Sequence, residues 1–207
     1  RMGDLALDHL EGALALGGRV LSPSNLVLRL GQTSATVRGT LTATGAAPIR
    51  ELDLKRDLAV DLAFDAEGRT ADLARFLPAG LKISGAGRAS GRLSGTPTAL
   101  SGEAALSLQD LDTWGEAWQR GEGTLRFRPG TLQVSAITLQ RRAERVTGEL
   151  GVASDGGLRG QFASTPMEVS RISWLSNLDL TGRAAFQIDL QGTGDALRVS
   201  GKATAET

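Results

Sequence analysis

The chain has 207 residues, 23 Lys and Arg against 23 Asp and Glu, no Cys and a single His. That length suits one large all-β unit or two modest domains with a sizeable core, and a formal net charge of zero lacks the basic footprint of a nucleic-acid binder. Disulfides, Cys-based zinc sites and iron–sulfur clusters are excluded and imidazole chemistry has only His9 to use, so neither a catalytic role nor a cofactor or metal is expected.

A Cys-free chain fits an oxidising compartment. With Trp 3, Phe 5 and no Tyr, the chain also lacks the aromatic girdles of an outer-membrane barrel. No apolar run approaches the roughly 20 residues of a membrane-spanning helix. The opening Arg1-Met2-Gly3-Asp4 is not a signal peptide, so the chain reads as a segment of something longer.

From the N-terminus onward, apolar residues recur with a period of two: Leu26-Leu28-Leu30, Ala35-Val37-Gly39-Leu41-Ala43, Val60-Leu62-Phe64, Leu125-Phe127, Leu132-Val134, Val146-Gly148-Leu150-Val152 and Ala184-Phe186-Ile188-Leu190. Polar residues such as Arg183, Gln187 and Asp189 fill the intervening positions, so each run predicts a strand with one apolar and one wet face. Antiparallel sheet follows from that pattern. Turn chemistry separates the runs at Gly17-Gly18, Ser22-Pro23, Gly45 to Pro48, Gly68, Gly95-Thr96-Pro97, Pro129-Gly130, Ser154 to Gly157 and Gly192 to Gly194. Arg128-Pro129-Gly130-Thr131 and Ser154-Asp155-Gly156-Gly157 read as hairpins. Between Ala136 and Ile137 the apolar phase slips, which predicts a bulge.

Two brief stretches read as helices. Thr70 to Leu77 offers a capping Thr, a shared face of Leu73, Phe76 and Leu77, and a stop at Pro78. Pro166 to Ser176 places Pro in the first turn and repeats Val169, Ile172 and Leu175 at helical spacing. The Asp112 to Arg120 segment reads as a loop leading into a strand.

Both helices occupy equivalent places in a duplicated block. Phe64, turn, helix, Leu81 to Gly85, strand, Gly95 to Leu100 and Ser101 to Ala104 match Phe162, turn, helix, Leu178 to Gly182, strand, Gly192 to Leu197 and Ser200 to Ala203. The chain is thus read as a single elongated segment, 1–207, with internal repeat units at approximately 52–108 and 150–207, each burying only part of its surface alone.

Within the strands a smaller signature places Gly on the apolar side: Leu10-Gly12-Leu14, Val37-Gly39-Leu41, Leu100-Gly102-Ala104, Val146-Gly148-Leu150, Leu158-Gly160-Phe162, Leu180-Gly182-Ala184 and Val199-Gly201-Ala203. Gly in a strand costs roughly 0.5–1 kcal/mol relative to Ala. Twist and curvature toward the apolar face are the physical reason to keep it there. The expected fold is all-β: an elongated, curved antiparallel meander shaped as a taco-like or U-shaped groove, with about 14–16 strands covering around 70 Å and two short inserted helices.

These glycine-bearing strands, the Gly-Thr-x-x-Ala-Leu turn at Gly95 and again at Gly192, and the short helix between strands resemble the AsmA/TamB superfamily of bacterial envelope proteins, related in architecture to bridge-like lipid-transfer proteins. The resemblance covers nearly all of the chain. It implies a periplasmic segment of an inner-membrane-anchored protein whose apolar lumen conducts phospholipid toward the outer membrane. It also implies an outer-membrane barrel partner, met through regions the sequence does not identify. The candidate lipid-facing residues are Val60, Leu62, Phe64, Leu125, Phe127, Leu132, Val134, Val146, Leu150, Phe162, Phe186, Ile188 and Leu190, each of which reads equally as ordinary core.

Other candidates are weaker. His9 reads as a terminal-strand histidine, and Asp53, Asp57 and Asp61, interleaved with Lys55 and Arg56, as a solvated strand face. Gly85-Ala86-Gly87 lacks the βαβ context of a dinucleotide loop. Arg141, Arg142 and Arg145 form a charged turn or a greeting site for lipid phosphate, and Trp114 and Trp118 core anchors or a groove mouth. The competing function is a structural or interaction module of an envelope or barrel-assembly factor with a filled core.

Overall fold

The computed structural model describes residues 8–45, 53, 56–72, 83–113, 115–175, 179–193 and 196–206. These form one antiparallel sheet of thirteen strands: β1 (His9–Gly17), β2 (Val20–Leu30), β3 (Thr33–Ala43), β4 (Leu58–Arg69), β5 (Ile83–Gly95), β6 (Ser101–Thr113), β7 (Glu116–Arg128), β8 (Thr131–Arg141), β9 (Glu144–Ala153), β10 (Gly157–Ser164), β11 (Met167–Glu168), β12 (Arg183–Thr193) and β13 (Arg198–Ala205). Each strand pairs with the next in the chain up to β10. There β12 takes the neighbouring place, with the two-residue β11 beside its start and β13 on its other side. The sheet does not close: β1 and β13 are its free edges and are exposed along their whole length. Twelve strand positions at roughly 4.8 Å give a width of about 55 Å, below the expected span.

Strand pairing follows the alternation. Opposed residues in neighbouring strands share a face, and the register carries one row across the sheet from Leu26 through Val37, Phe64, Gly91, Ala104, Leu125, Val134, Leu150, Gly160 and Leu190 to Val199. Every member is apolar or Gly. A second row runs Gly39, Leu62, Leu93, Gly102, Phe127, Leu132, Val152, Leu158, Gly192.

Bulges keep this face in phase. The ladder shifts between Val134 and Ile137, where Ala136 adopts a φ of 51°, as the slip in the sequence predicts. Asn25 and Asp110, with φ of 54° and 48°, lie at further shifts, in the β2–β3 and β5–β6 ladders. Without these extra residues the apolar set would cross to the wet side.

Most turns fall where Gly and Pro place them. Pro129-Gly130 closes the β7–β8 hairpin and the 154–156 loop closes β9–β10. Two expected turns are strand interior instead. Ser22-Pro23 lies inside β2 at the irregular part of its ladder, where a proline without N–H is tolerated. Gly68 lies inside β4, and a Cβ there would come within 2.4 Å of Thr33 Cα, so close strand approach rather than a turn explains it.

No α-helix occurs among the described residues, which corrects the helix expected over 166–176. In the 166–176 stretch the chain forms two 3-10 turns, Val169–Arg171 and Ser173–Leu175, closed by Ile172 N–H to Val169 O at 3.1 Å and Leu175 N–H to Ile172 O at 2.9 Å. A three-residue recurrence of β-branched and apolar residues fits the period of 3.0 of this tighter helix, and the intervening serines are weak helix formers. Residues 70–72 form one further 3-10 turn, and the rest of the Thr70 to Leu77 helix lies outside the described residues.

The duplicated blocks hold strands in the same order, β4–β5–β6 and β10–β12–β13. Their shared turns match in detail. A Cβ on Gly95 would lie 2.4 Å from Ala99 O and one on Gly192 2.3 Å from Ala196 O, so both copies require Gly at the same pinch.

Candidate functional site

All thirteen sequence-derived lipid candidates point to one face of the sheet, since each stands in register with a Gly, Ala, Leu or Val of that face in a neighbouring strand. None of them is buried; Leu132 is exposed at 36 % and the others are half-buried. A sandwich of this size would bury such a face under a second sheet. Among the described residues no second layer buries this face, and at the edges Leu16 and Val199 are exposed at 67 % and 64 %.

Glycines on this face seat the large side chains of the next strand. A Cβ on Gly102 would sit 2.6 Å from Phe127 Cε1, one on Gly148 2.5 Å from Phe162 Cδ1, and one on Gly160 3.0 Å from Leu150 Cδ1. Large residues lie across the glycine positions, which yields a smooth hydrocarbon surface in place of interdigitated knobs.

Among the described residues, protein covers the face in one place. Beyond β10 the chain runs over the ends of the strands as a strap, residues 165–175, and Met167 and Ile172 pack on Leu111 and Trp118 as the buried cluster, with Leu108, Leu139, Val146, Leu175 and Phe186 around it. Two of the candidates, Val146 and Phe186, therefore touch protein, whereas the rest of the set does not belong to this cluster. Trp118 is a core anchor; Trp114 lies outside the described residues.

An ion triad fastens the strap, and sequence reasoning missed it. Arg141 Nη1 donates to Glu116 Oε2 at 2.9 Å and Arg141 Nε to Glu144 Oε2 at 2.8 Å, with all three side chains at or below 16 % exposure. The free carboxylate oxygens accept strap backbone: Glu144 Oε1 takes the Glu168 N–H at 3.0 Å, and Glu116 Oε1 takes the Ser173 N–H. Ser173 Oγ also donates to Gly115 O at 2.8 Å. The Arg141 guanidinium lies 5.2 Å from the centre of the Trp118 ring.

Burial pushes the Glu144 carboxyl up, but the Glu168 N–H and the Arg141 and Arg171 charges outweigh it and hold its pKa below the ordinary value. For Arg141 the desolvation is likewise overcome by Glu144 and Glu116, and its pKa is raised. The signal available in the sequence is parity alone: Glu116 and Glu144 stand two residues before Trp118 and Val146, on the apolar face, where a charge needs a partner. Of the remaining Arg cluster, Arg142 sits in the β8–β9 turn with a φ of 54° and Arg145 binds Thr165 through its backbone, so Arg141 alone has a buried partner set.

On the opposite face, cross-strand pairs tie β3 to β4, β4 to β5 and β6 to β7: Arg38 with Asp65, Arg88 with Glu67, Arg92 with Asp61 and Arg126 with Glu103. The Arg92 hydrogen bonds lower the Asp61 pKa and those of Arg126 lower that of Glu103. A concavity of about 900 Å³ across β8 to β13 is lined mainly by polar residues, Gln133, Glu149, Arg159 and Asp189 among them, together with Leu190 and Val199 of the apolar row. His9 is exposed on β1 beside Glu11 at 3.3 Å, Asp57 accepts the Asp53 N–H at 3.1 Å, and Gly85 to Gly87 are strand residues of β5. No cluster of metal-ligating side chains occurs among the described residues.

No protein-family model, curated protein or solved structure matches the chain.

Proposed function

We propose that this chain is a lipid-carrying β-groove, a segment of an AsmA/TamB-like periplasmic protein that conducts phospholipid between the inner and outer membranes and so serves outer-membrane biogenesis. One observation carries the reading: an uncharged row, Leu26 to Val199, crosses the sheet from β2 to β13 and is left half-exposed over most of its length. The sheet is read as curved toward that face, as a taco-shaped trough, because small residues alternate with large ones there.

Moving a lipid tail through water means exposing it at about 0.8 kcal/mol per CH₂, a barrier on the order of 10 kcal/mol for one chain. An apolar row without strong local contacts removes that barrier and lets the tail pass from strand to strand, with its head group in solvent. The transport needs neither catalytic residue nor cofactor. The outer-membrane barrel partner belongs to the same reading, through regions not identified in this chain.

A filled structural module is the second reading, favoured by the buried cluster beneath the strap. Native mass spectrometry and solvent extraction of the purified chain separate the two. Co-purifying phospholipid supports conduction, and lipid-free protein whose lipid content stays nil after incubation with phospholipid vesicles supports the filled module.

A further inference from the structure

We propose that the strap, residues 165–175, is an internal occupant of the lipid surface, displaced when an acyl chain passes over β6 to β12. This deepens the lipid reading and rests on it. Leu111 and Trp118 beneath the strap, with Leu108, Leu139, Val146 and Phe186 around them, belong to the same apolar face as the uncovered candidates. What differs is the cover, for Met167 and Ile172 lie where the rest of the face is open.

The construction lets the strap leave. Its only ladder is two residues long, Met167 with Ala184 and Glu168 with Arg183. Its turns are three residues each. The ion triad that holds it lies wholly on the sheet, with Glu116 on β7, Arg141 at the end of β8 and Glu144 at the start of β9. The strap contributes to the triad the Glu168 and Ser173 N–H groups, which water can satisfy on release, and the Arg171 charge near Glu144, while Arg141 keeps both carboxylates. The apolar surface of Leu111 and Trp118 that Met167 and Ile172 now cover is of the kind a methylene chain covers equally well, so exchange of strap for lipid is close to balanced.

The chain has no Cys, so an engineered pair is its sole disulfide. A Cβ on Gly115 stands 3.9 Å from Ser173 Cβ, within the roughly 3.5–4.5 Å that a disulfide spans. The full chain carrying Gly115→Cys and Ser173→Cys, with p-benzoylphenylalanine at Phe186 or at Phe64, is irradiated with phosphatidylethanolamine and phosphatidylglycerol vesicles, oxidised and reduced. A displaceable strap gives lipid adducts at position 64 in both states and at position 186 only when reduced. Adducts at 186 in both states, or at 64 alone in both, overturn the strap's role and leave the lipid reading standing; no adduct at either position removes both. Position 115 has a φ of 82°, unfavourable for Cys. If the pair does not close, Ile172→Ser loosens the strap instead. A rise in the 186-to-64 adduct ratio over the parent chain is expected, and an unchanged ratio overturns the proposal.

Discussion

Arg141 and Glu144, three residues apart across the tight β8–β9 turn, form a nearly buried ion pair with Nε and Oε2 at 2.8 Å, and Glu144 uses its other oxygen to hold the Glu168 backbone. A pair in such a place is energetically asymmetric. Deleting one member leaves a charge without compensation, at a cost of about 3–5 kcal/mol. Arg141→Met strands two carboxylates, Glu116 and Glu144, and is expected to lower stability by that order in urea denaturation, with Glu144→Gln costing less because the amide still accepts the Glu168 N–H.

The same pair sets an acid limit. The folded pKa of Glu144 lies below its unfolded value, so its contribution is present in full above the unfolded value of 4.5 and is lost as pH falls through the folded one. Amide exchange at Glu168 is expected to accelerate, relative to the β4–β5 ladder, as the pH falls below the ordinary glutamate value of 4.5 and through the lowered folded one. Equal acceleration in both places would show that the triad does not fasten the strap.

Strand glycines, Gly39 and Gly102 on the apolar face and Gly151 on the wet one, give a graded series. Gly102→Val places side-chain atoms into Phe127 and Leu93 and is expected to cost about 1–3 kcal/mol through overpacking. Gly39→Ala adds a backbone clash, with a Cβ 2.1 Å from Asp61 O at a φ of 139°, and is expected to be worse than a core methyl insertion alone. Gly151→Ala, whose nearest neighbour is Arg159 O at 3.9 Å, is expected to be neutral or slightly stabilising. Chemical denaturation midpoints give the order directly.

Polar-face pairs are expected to matter little. Arg126 and Glu103 are bidentate but half-exposed, so screening and side-chain ordering offset the attraction. Arg126→Gln is expected to leave the denaturation midpoint unchanged within error and to leave lipid content unaltered.

Local alternation makes the sheet legible. Runs such as Val60-Leu62-Phe64 and Ala184 to Leu190 carry strand, face and neighbour in their own spacing, and the Ala136 bulge shows as a slip of phase. Turns are less legible, because Pro23 and Gly68 serve strand irregularity and close approach rather than reversal. The strap's spacing points to the wrong helix: recurrence at three residues suits both helix types, and the docking surface that selects the shorter turn comes from β6 to β9. Of the triad only the parity of Glu116 and Glu144 is legible, not their partner. Glu116, Arg141 and Glu144 read as surface charges until the folded chain lays residues 165–175 over them.

The openness of the apolar face to lipid is tested most directly by photo-cross-linking in cells, with p-benzoylphenylalanine at Phe162 and, as its opposite-face control, at the adjacent Gln161. A lipid-bearing groove yields phospholipid adducts from position 162 and none from 161. Absence of lipid at 162, or equal capture at both positions, would contradict it.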